Sequence, residues 1–227
     1  MRADISIIIP TLNAETELVP CLESLMEGVM DGLIRELIVT DGGSSDKTLE
    51  IAEDAGARIV HGAASRGGQL RRGVKASVGG WVLVLHADTR LSRGWAQAVR
   101  AHLDDNCKDP AAFRLAFRAS GFAPSFVSRW ANLRSVLFRL PYGDQGLLVR
   151  RSQYEKAGGF PDQPLTEDVA LVRALKARPL LLDVVASTSA ERFEKVGWLR
   201  RGARNLITLA RYLAGADPAK LADSYRR

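Results

Sequence analysis

Residues 36–48 read Glu-Leu-Ile-Val-Thr-Asp-Gly-Gly-Ser-Ser-Asp-Lys-Thr, and their pattern decides the fold class. The apolar and β-branched start of this stretch predicts a buried strand over Glu36–Thr40. The polar, glycine-containing residues 41–46 are typical of a loop with helix-capping side chains, and a helix is predicted over Lys47–Ala55. A strand, a polar loop and a helix in this order form the repeating unit of parallel α/β sheets.

The same unit recurs on both sides of this stretch. Further strands are predicted over Ile5–Pro10, Arg58–His61 and Trp81–Leu85, and further helices over Glu15–Met30, Gly68–Val78 and Leu91–Leu103. This alternation predicts an α/β fold with a Rossmann-like, mostly parallel sheet flanked by helices. Such sheets bind ligands at the carboxyl ends of their strands, so the residues directly after each strand are the first candidates for a site.

The second half of the chain is less regular. Strands are predicted over Ala112–Ala119 and Leu180–Val185, with a glycine turn leading into a strand over Gly143–Arg150, and helices over Phe122–Leu140, Thr166–Ala177 and Gly197–Ala214. Because there is no internal repeat and no clear linker, the sequence predicts a single domain over residues 1–227.

The composition excludes several classes of protein. Of 227 residues, 46% are hydrophobic and 26% are charged, which is not the balance of a disordered, collagen-like or disulfide-stapled chain. The net charge of +6 favours anionic partners such as a nucleotide, a nucleic acid or an anionic membrane. A nucleic-acid partner is not expected, because the basic residues are not interleaved with aromatic ones and no helix-turn-helix or zinc pattern occurs.

The compartment is predicted to be the cytoplasm. Cys21 and Cys107 are too few for a disulfide framework and are interpreted as reduced thiols. There is no signal-peptide pattern, and no apolar run approaches the ~20 residues of a spanning helix. Peripheral contact with the inner face of a membrane stays open, because the predicted helix Gly197–Ala214 is basic and amphipathic. The commoner outcome for such a helix is that its apolar side packs on the core. The aromatic-rich stretch Phe122–Leu140 leaves core, homodimer face and a surface for a lipid acceptor as alternatives.

Four strand-end segments together carry a family resemblance. They are Pro-Thr-Leu-Asn-Ala-Glu at 10–15, Val-Thr-Asp-Gly-Gly-Ser-Ser-Asp-Lys-Thr at 39–48, Val-Leu-His-Ala-Asp-Thr at 84–89 and Thr-Glu-Asp at 166–168. In this order and spacing they resemble glycosyltransferase family 2 on the GT-A fold, over most of the chain. The segments at 86–89, 141–146 and 160–165 look more narrowly like a small bacterial subfamily, known as radical-SAM/selenodomain-associated transferases or arsenosugar-biosynthesis glycosyltransferases.

The resemblance implies an inverting glycosyltransferase that moves a sugar from a UDP- or GDP-type donor to an acceptor hydroxyl. It implies a nucleotide-binding half at 1–110 and an acceptor half at 111–227, with a small-molecule or lipid-linked acceptor. A divalent cation, Mg²⁺ or Mn²⁺, would offset the charge on the leaving diphosphate. Asp88 matches the second acid of the family's DxD motif and is the expected metal ligand. The residues alone also allow Asp88 to cap the next helix.

Donor contacts are expected at the ends of the first strands. Asp41 matches the acid that reads the nucleotide base in the family, and loop capping is the alternative. His86 stands where most of the family has an acid. It is expected to ligate the metal or to bond the ribose, unless it is only a satisfied histidine at the strand end. The other expected donor contacts are Pro10, Thr11, Asn13, Glu15, Gln69 and, near a helix N-terminus suited to a diphosphate, Arg66.

Catalytic residues are expected at Glu167 and Asp168. In inverting members of the family the Asp of this pair is the general base that takes the proton of the acceptor hydroxyl, and a raised pKa suits that role. The residues alone equally allow two acids that complement a helix dipole. Asp144 and Gln145 are expected to bond hydroxyls of the sugar or acceptor, with a tight turn as the alternative.

Two other interpretations compete with this one. His86 gives some support to a noncatalytic or weakly active homologue that binds a nucleotide sugar. A nucleotidyltransferase is less favoured, because Pro10–Glu15 lacks the glycine-rich loop with basic residues that such an enzyme carries after its first strand.

Overall fold

A single sheet organises the computed structural model, which describes residues 4–105 and 109–226. Its strands are β1 (Ile5–Thr11), β2 (Ile34–Asp41), β3 (Arg58–His61), β4 (Trp81–Val84), β5 (Arg90–Leu91), β6 (Ala111–Phe117), β7 (Leu147–Arg150) and β8 (Leu180–Thr188). The helices are α1 (Glu15–Met30), α2 (Thr48–Asp54), α3 (Arg66–Ala76), α4 (Trp95–Asp104), α5 (Phe122–Phe138), α6 (Arg151–Lys156), α7 (Glu167–Ala174), α8 (Glu191–Val196), α9 (Trp198–Leu213) and α10 (Pro218–Arg226). Cys21 is buried and not in a disulfide, whereas Cys107 lies outside the described residues.

The strands lie in the order β3-β2-β1-β4-β7-β6-β8-β5. Strand β1 is parallel to β2 and β4, and β2 is parallel to β3, as helical crossovers require. Strand β7 is antiparallel to β4, with Val84 opposite Leu147. Consequently the residues that follow β4 lie beside those that precede β7. The predicted α/β fold, a mostly parallel sheet flanked by helices, is confirmed.

The central strand shows why the sheet needs helices on both faces. All five residues from Ile5 to Ile9 are fully buried. Ile7 packs in the cluster that holds Trp95 of α4, whereas Ile8 packs on the opposite face with Leu70 of α3. A strand covered on both faces is apolar without alternation, which is why the sequence at 5–9 predicted it.

Several element boundaries differ from the predictions. The helix predicted from Leu91 begins at Trp95, because Arg90–Leu91 pairs with β8 and Gly94 then turns the chain with a φ of 85°. The glycine turn predicted to lead into a strand over Gly143–Arg150 is a 3₁₀ turn at Gly143–Gln145, and the strand follows at Leu147–Arg150. Helices α6, α8 and α10 were not predicted, and α6 and α8 have six residues each, too few to show a helical period.

Candidate active site

The loops after β1 and β2 are joined through Asp41. Asp41 is 1% exposed, and its carboxylate accepts hydrogen bonds from the backbone N–H groups of Gly43 (2.7 Å) and Ser44 (2.9 Å). It also accepts from the hydroxyls of Ser44 (2.5 Å) and Thr11 (3.2 Å). Burial alone would raise the pKa of Asp41, but the hydrogen bonds from Ser44, Gly43 and Thr11 outweigh it and lower the pKa. Asp41 thus takes the loop-capping role that the sequence left as an alternative, and its contact with a base stays a prediction.

Asn13 and Glu15 connect the same two loops on the outside. Asn13 has a left-handed backbone (φ 50°), and its Oδ1 accepts from the N–H of Ser45 at 2.9 Å. Oε2 of Glu15 accepts from the N–H of Lys47 at 3.0 Å. Both side chains are exposed at the rim of the loops, and both hold the loop after β2 in place.

Gln69 ties the ends of β1 and β2 together. The residue is 5% exposed, and its Nε2 donates to the carbonyl oxygens of Thr11 (2.8 Å) and Thr40 (2.7 Å). Because both amide hydrogens are used and the group is buried, this placement argues against the predicted donor contact by Gln69. Pro10, another predicted contact, lies within β1 opposite Thr40.

The start of α3 is fitted against the segment 160–165. Ser65 caps the helix by accepting from the N–H of Gly68 at 3.4 Å, and its hydroxyl donates to Asp162 at 2.6 Å. A Cβ on Gly67 would lie 2.0 Å from the carbonyl oxygen of Pro161, so only glycine fits there. Arg66, at the first position of this helix, therefore sits at the junction of the two segments.

Asp88 follows β4 and contacts residues at the ends of β6 and β8. Its Oδ2 accepts from the hydroxyl of Thr188 at 3.1 Å, and its carbonyl oxygen accepts from Arg118 at 2.6 Å. Arg118 also forms an ion pair with Glu17 of α1 at 2.6 Å. The cap that the sequence offered as an alternative is not formed, because α4 begins only at Trp95. Sequence reasoning missed Thr188, Arg118 and Glu17, which become neighbours of Asp88 only through strand pairing.

His86 and Asp168 both lie beside Gly143. A Cβ on Gly143 would lie 2.8 Å from Nε2 of His86 and 3.3 Å from Oδ2 of Asp168. Burial lowers the pKa of His86 to about 3, helped by the positive charges of Arg66 and Arg192 and opposed by Asp88. The imidazole is therefore neutral near pH 7 and retains a nitrogen lone pair.

Glu167 and Asp168 open α7 but have different surroundings. Oδ2 of Asp168 accepts from the N–H of Gly143 at 2.6 Å. Glu167 is 2% exposed and lies 3.7 Å from Nε of Arg66. Burial raises the pKa of Glu167 to about 7, the charge of Asp168 adds to the shift, and Arg66 opposes it. The raised pKa that suits a general base therefore belongs to Glu167, the neighbour of the expected base Asp168. Thr166, just before the helix, is held at φ 63°, a strained conformation for a β-branched residue.

Asp144 and Gln145 differ although they are adjacent. Burial raises the pKa of Asp144 to about 6, Arg134 opposes the shift, and the charges of Asp168 and Asp88 add to it. Oδ1 of Asp144 is buried without a hydrogen-bond partner among the described residues. Gln145 is fully buried, and its amide bonds Ser135 (2.7 Å) and the carbonyl oxygen of Phe113 (3.1 Å). This placement argues against the predicted contact of Gln145 with a sugar, because its polar groups already serve the fold.

The described residues contain no group of three or more His, Cys, Asp or Glu side chains arranged to hold a metal ion by themselves. Asp88 and the neutral His86 supply one carboxylate and one imidazole at the end of β4. The charges of Asp88 and Asp168 both raise the pKa of Asp144, and those of Arg134 and Arg66 lower it, so three carboxylates lie near this point together with two guanidinium groups. These residues fit a divalent cation whose other ligands come from a diphosphate and water.

A family model described as Glycosyl transferase family 2 matches residues 6–152. A curated relative, the PGL/p-HBAD biosynthesis glycosyltransferase of Mycobacterium tuberculosis (strain ATCC 25177 / H37Ra), is 41% identical over 167 residues. The match covers 68% of this chain and 62% of that relative, so the chain spans less than two thirds of its length.

Two solved structures show the same fold. S. aureus TarS (residues 1–349) in complex with UDP-GlcNAc has a TM-score of 0.62 and 18% identity, covering 99% of this chain and 71% of the other. Glucosyl-3-phosphoglycerate synthase from Mycobacterium tuberculosis, in complex with Mn²⁺ and UDP-glucose, has a TM-score of 0.65 and 20% identity, covering 94% of this chain and 80% of the other. With residues 6–152 matched by the family model, the chain belongs to glycosyl transferase family 2.

Proposed function

We propose that the chain is an inverting glycosyltransferase that moves a sugar from a nucleoside diphosphate to an acceptor hydroxyl. The observation that carries the proposal is the convergence on Gly143, where His86 and Asp168 meet beside Asp144 and above the end of β4. Family membership and the fold shared with two structures that hold UDP-sugars support a UDP-type donor as the first to test. A GDP-type donor is the alternative.

The donor nucleotide would lie at the ends of β1 and β2. Thr11, Asn13 and Glu15 line one loop there, and Asp41 holds the other loop in shape. Arg66 is 41% exposed in its side chain, so it can reach a diphosphate while remaining near Glu167. The division into a donor half at 1–110 and an acceptor half at 111–227 is part of this proposal.

Asp88 is the residue that would hold Mg²⁺ or Mn²⁺, with His86 as a second ligand or as a partner of the ribose. When bound, the cation would offset the charge that develops on the leaving diphosphate. The carbonyl contact from Arg118 and the hydroxyl of Thr188 keep Asp88 in place for this task. The structure of Mn²⁺-bound glucosyl-3-phosphoglycerate synthase supports the choice of Mn²⁺ for the first experiments.

Asp168 is the proposed general base. As the acceptor oxygen attacks the anomeric carbon, its proton passes to the Asp168 carboxylate, and the bond to the diphosphate oxygen breaks with its electron pair. The N–H of Gly143 fixes the Asp168 carboxylate in one orientation. Glu167 is too buried to meet an acceptor and is proposed to position Arg66 instead.

The acceptor is proposed to be a small molecule or a lipid-linked one, in the cytoplasm. The narrower resemblance to arsenosugar-biosynthesis glycosyltransferases rests on the segments 86–89, 141–146 and 160–165. The relative named above carries a different pathway name, so this finer assignment is the least supported part of the proposal.

Calorimetric titration with UDP and with GDP, each with and without Mn²⁺, tests the donor site. We expect one nucleotide to bind in a metal-dependent manner, and Asp88→Asn to remove that dependence. Asp54→Asn, an exposed acid at the end of α2, is the matched control and should bind as the unmodified chain does. If neither nucleotide binds under any condition, the donor site is wrongly assigned. Binding without turnover of any UDP- or GDP-sugar would favour the noncatalytic homologue.

A further inference from the structure

We propose that α5 and α9 form a surface that docks on an anionic lipid bilayer. This inference does not depend on the proposed function. Helix α5 exposes a stripe of large apolar side chains at helical spacing. They are between 48% and 86% exposed: Phe122, Phe126, Trp130, Leu133 and Leu137. The opposite side of α5 already contacts the fold, with Val127 and Ala131 packed against β6, so the stripe is not available to the core.

Helix α9 also leaves its leucines outside. Leu199, Leu206, Ile207 and Leu213 are between 40% and 74% exposed. The commoner outcome expected from the sequence, in which the apolar side packs on the core, is found for Trp198 but not for Leu199, Leu206 and Leu213. Trp198 alone stacks inward on Phe193, while Arg201 is 9% exposed and lies over the ring of Tyr225 in α10. Arg201 and the ring of Tyr225 therefore fill part of the space on the inward side of α9, and Leu199, Leu206 and Leu213 face outward.

The charged residues of α5 and α9 themselves all have one sign. Neither the 17 residues of α5 nor the 16 residues of α9 include an Asp or a Glu. Arg129 on α5 and Arg200 and Arg211 on α9 are exposed next to the apolar side chains. Apolar residues flanked by arginines, without acids, match the depth profile of an anionic bilayer, where acyl chains lie beneath negative headgroups.

A bilayer fits this surface better than a second copy of the chain does. A two-fold contact would bring the same surface of two copies together, and its arginines would find no acids on either helix. Among the described residues, no helix combines the length and hydropathy of a membrane-spanning segment. The proposed contact would lie near the candidate site, because Arg134 of α5 stacks on Tyr142 at 3.4 Å, two residues before Asp144.

Flotation with lipid vesicles tests the proposal. We expect the full chain to float with vesicles of mixed phosphatidylcholine and phosphatidylglycerol and to stay behind with phosphatidylcholine alone. The double variant Phe126→Ser/Trp130→Ser should lose roughly tenfold or more in partitioning, because it removes two large apolar groups from the contact. The double variant Arg200→Gln/Arg211→Gln should lose the preference for phosphatidylglycerol. Met30→Ser, on α1 and 84% exposed, is the matched control and should float normally.

Fluorescence gives a second readout that a folding defect would not imitate. Trp81 and Trp95 are buried and Trp198 is stacked on Phe193, so a blue shift on adding the mixed vesicles should come mainly from Trp130. Unchanged melting temperatures would show that the variants fold. Equal flotation of the Phe126→Ser/Trp130→Ser variant and the unmodified chain would overturn the proposal. The proposal would also be overturned if the unmodified chain did not float with vesicles but formed a concentration-dependent dimer that the Phe126→Ser/Trp130→Ser variant could not form.

Discussion

Arg118 of β6 donates to the carbonyl oxygen of Asp88 at 2.6 Å and at the same time pairs with Glu17 of α1. The contact joins the second half of the sheet to the loop that carries the proposed metal ligand. The side chain of Arg118 is 20% exposed and that of Glu17 is 31% exposed, so the ion pair is only partly screened by water. Arg118 is therefore a positioning residue for Asp88.

Arg118→Ala should destabilise the fold by about 1–3 kcal/mol, because it leaves Glu17 and the Asp88 carbonyl without this donor. It should also weaken metal-dependent nucleotide binding, since Asp88 loses its support. Urea unfolding and calorimetry measure the two effects separately. Arg114→Ala, on the same strand but in an exposed pair with Asp183, should change neither. Wild-type metal dependence in Arg118→Ala would show that Asp88 does not need this contact.

Asp168→Asn should reduce kcat by about 10²–10⁴-fold, the usual contribution of a general base. Nucleotide binding should be retained, because Asp168 contacts the N–H of Gly143 and not the loops after β1 and β2. Steady-state rates with the donor identified by calorimetry check this prediction. Asp223→Asn, exposed on α10, should keep full activity. If Asp168→Asn retained full activity, Asp168 would not be the general base.

Glu167 should make the protein less stable as the pH rises. Its pKa is raised from 4.5 to about 7 in the folded chain, so the folded state holds the proton more tightly than the unfolded state does. The contribution of Glu167 to the free energy of unfolding is fully present below pH 4.5 and is lost as the pH rises to about 7 and above. The whole change is on the order of 3 kcal/mol.

Urea unfolding at pH 5 and pH 8 measures this change. Glu167→Gln should remove most of the fall, because a neutral amide does not ionise. Glu155→Gln, an exposed acid on α6, should leave the pH dependence as it was. If the unmodified chain and Glu167→Gln show the same fall, the pKa of Glu167 is not raised in the folded protein.

Gly67→Ala should destabilise the fold by about 1–3 kcal/mol, because its Cβ would lie 2.0 Å from the backbone oxygen of Pro161 and the segment would have to shift. Thermal unfolding measures the loss. Gly202→Ala is a matched control within α9, where an added Cβ meets no atom within 4 Å. That control should gain up to about 1 kcal/mol from helix propensity. An unchanged melting temperature in Gly67→Ala would mean that the segment 160–165 can shift at little cost in free energy.

Gly143→Ala should lower kcat strongly and should lower the free energy of unfolding only to a smaller extent. The new Cβ would lie 2.8 Å from Nε2 of His86 and 3.3 Å from Oδ2 of Asp168, so it would push apart the two groups that meet there. Rates and nucleotide affinity, measured side by side with urea unfolding, distinguish this effect from loss of fold. Full activity in Gly143→Ala would show that the spacing of His86 and Asp168 is not critical.

Regular, buried elements were predictable because their pattern is local. Glu15–Met30 was predicted with its observed bounds, since its apolar residues recur at helical spacing over 16 residues. Strand β5, with two residues, could not be predicted, because it exists only by pairing with β8. From the sequence, Gln69 and Gln145 could equally be residues that contact a ligand. Their buried amides donate to backbone carbonyl oxygens, and a sequence does not show which carbonyl lies nearby.

The sequence by itself determined the α/β alternation, the family and the strand ends where the polar residues gather, because each depends on residues close together along the chain. Only the tertiary structure decided which of them meet. The antiparallel pairing of β7 with β4 brings Gly143 beside His86 and Asp168, and the pairing of β8 with β6 and β5 brings Thr188 to Asp88. Only the tertiary structure showed that α9 turns Leu199, Leu206 and Leu213 outward, because Arg201 and Tyr225 pack on its inner side. Contacts between residues distant in sequence depend on strand order and packing, which no local pattern encodes.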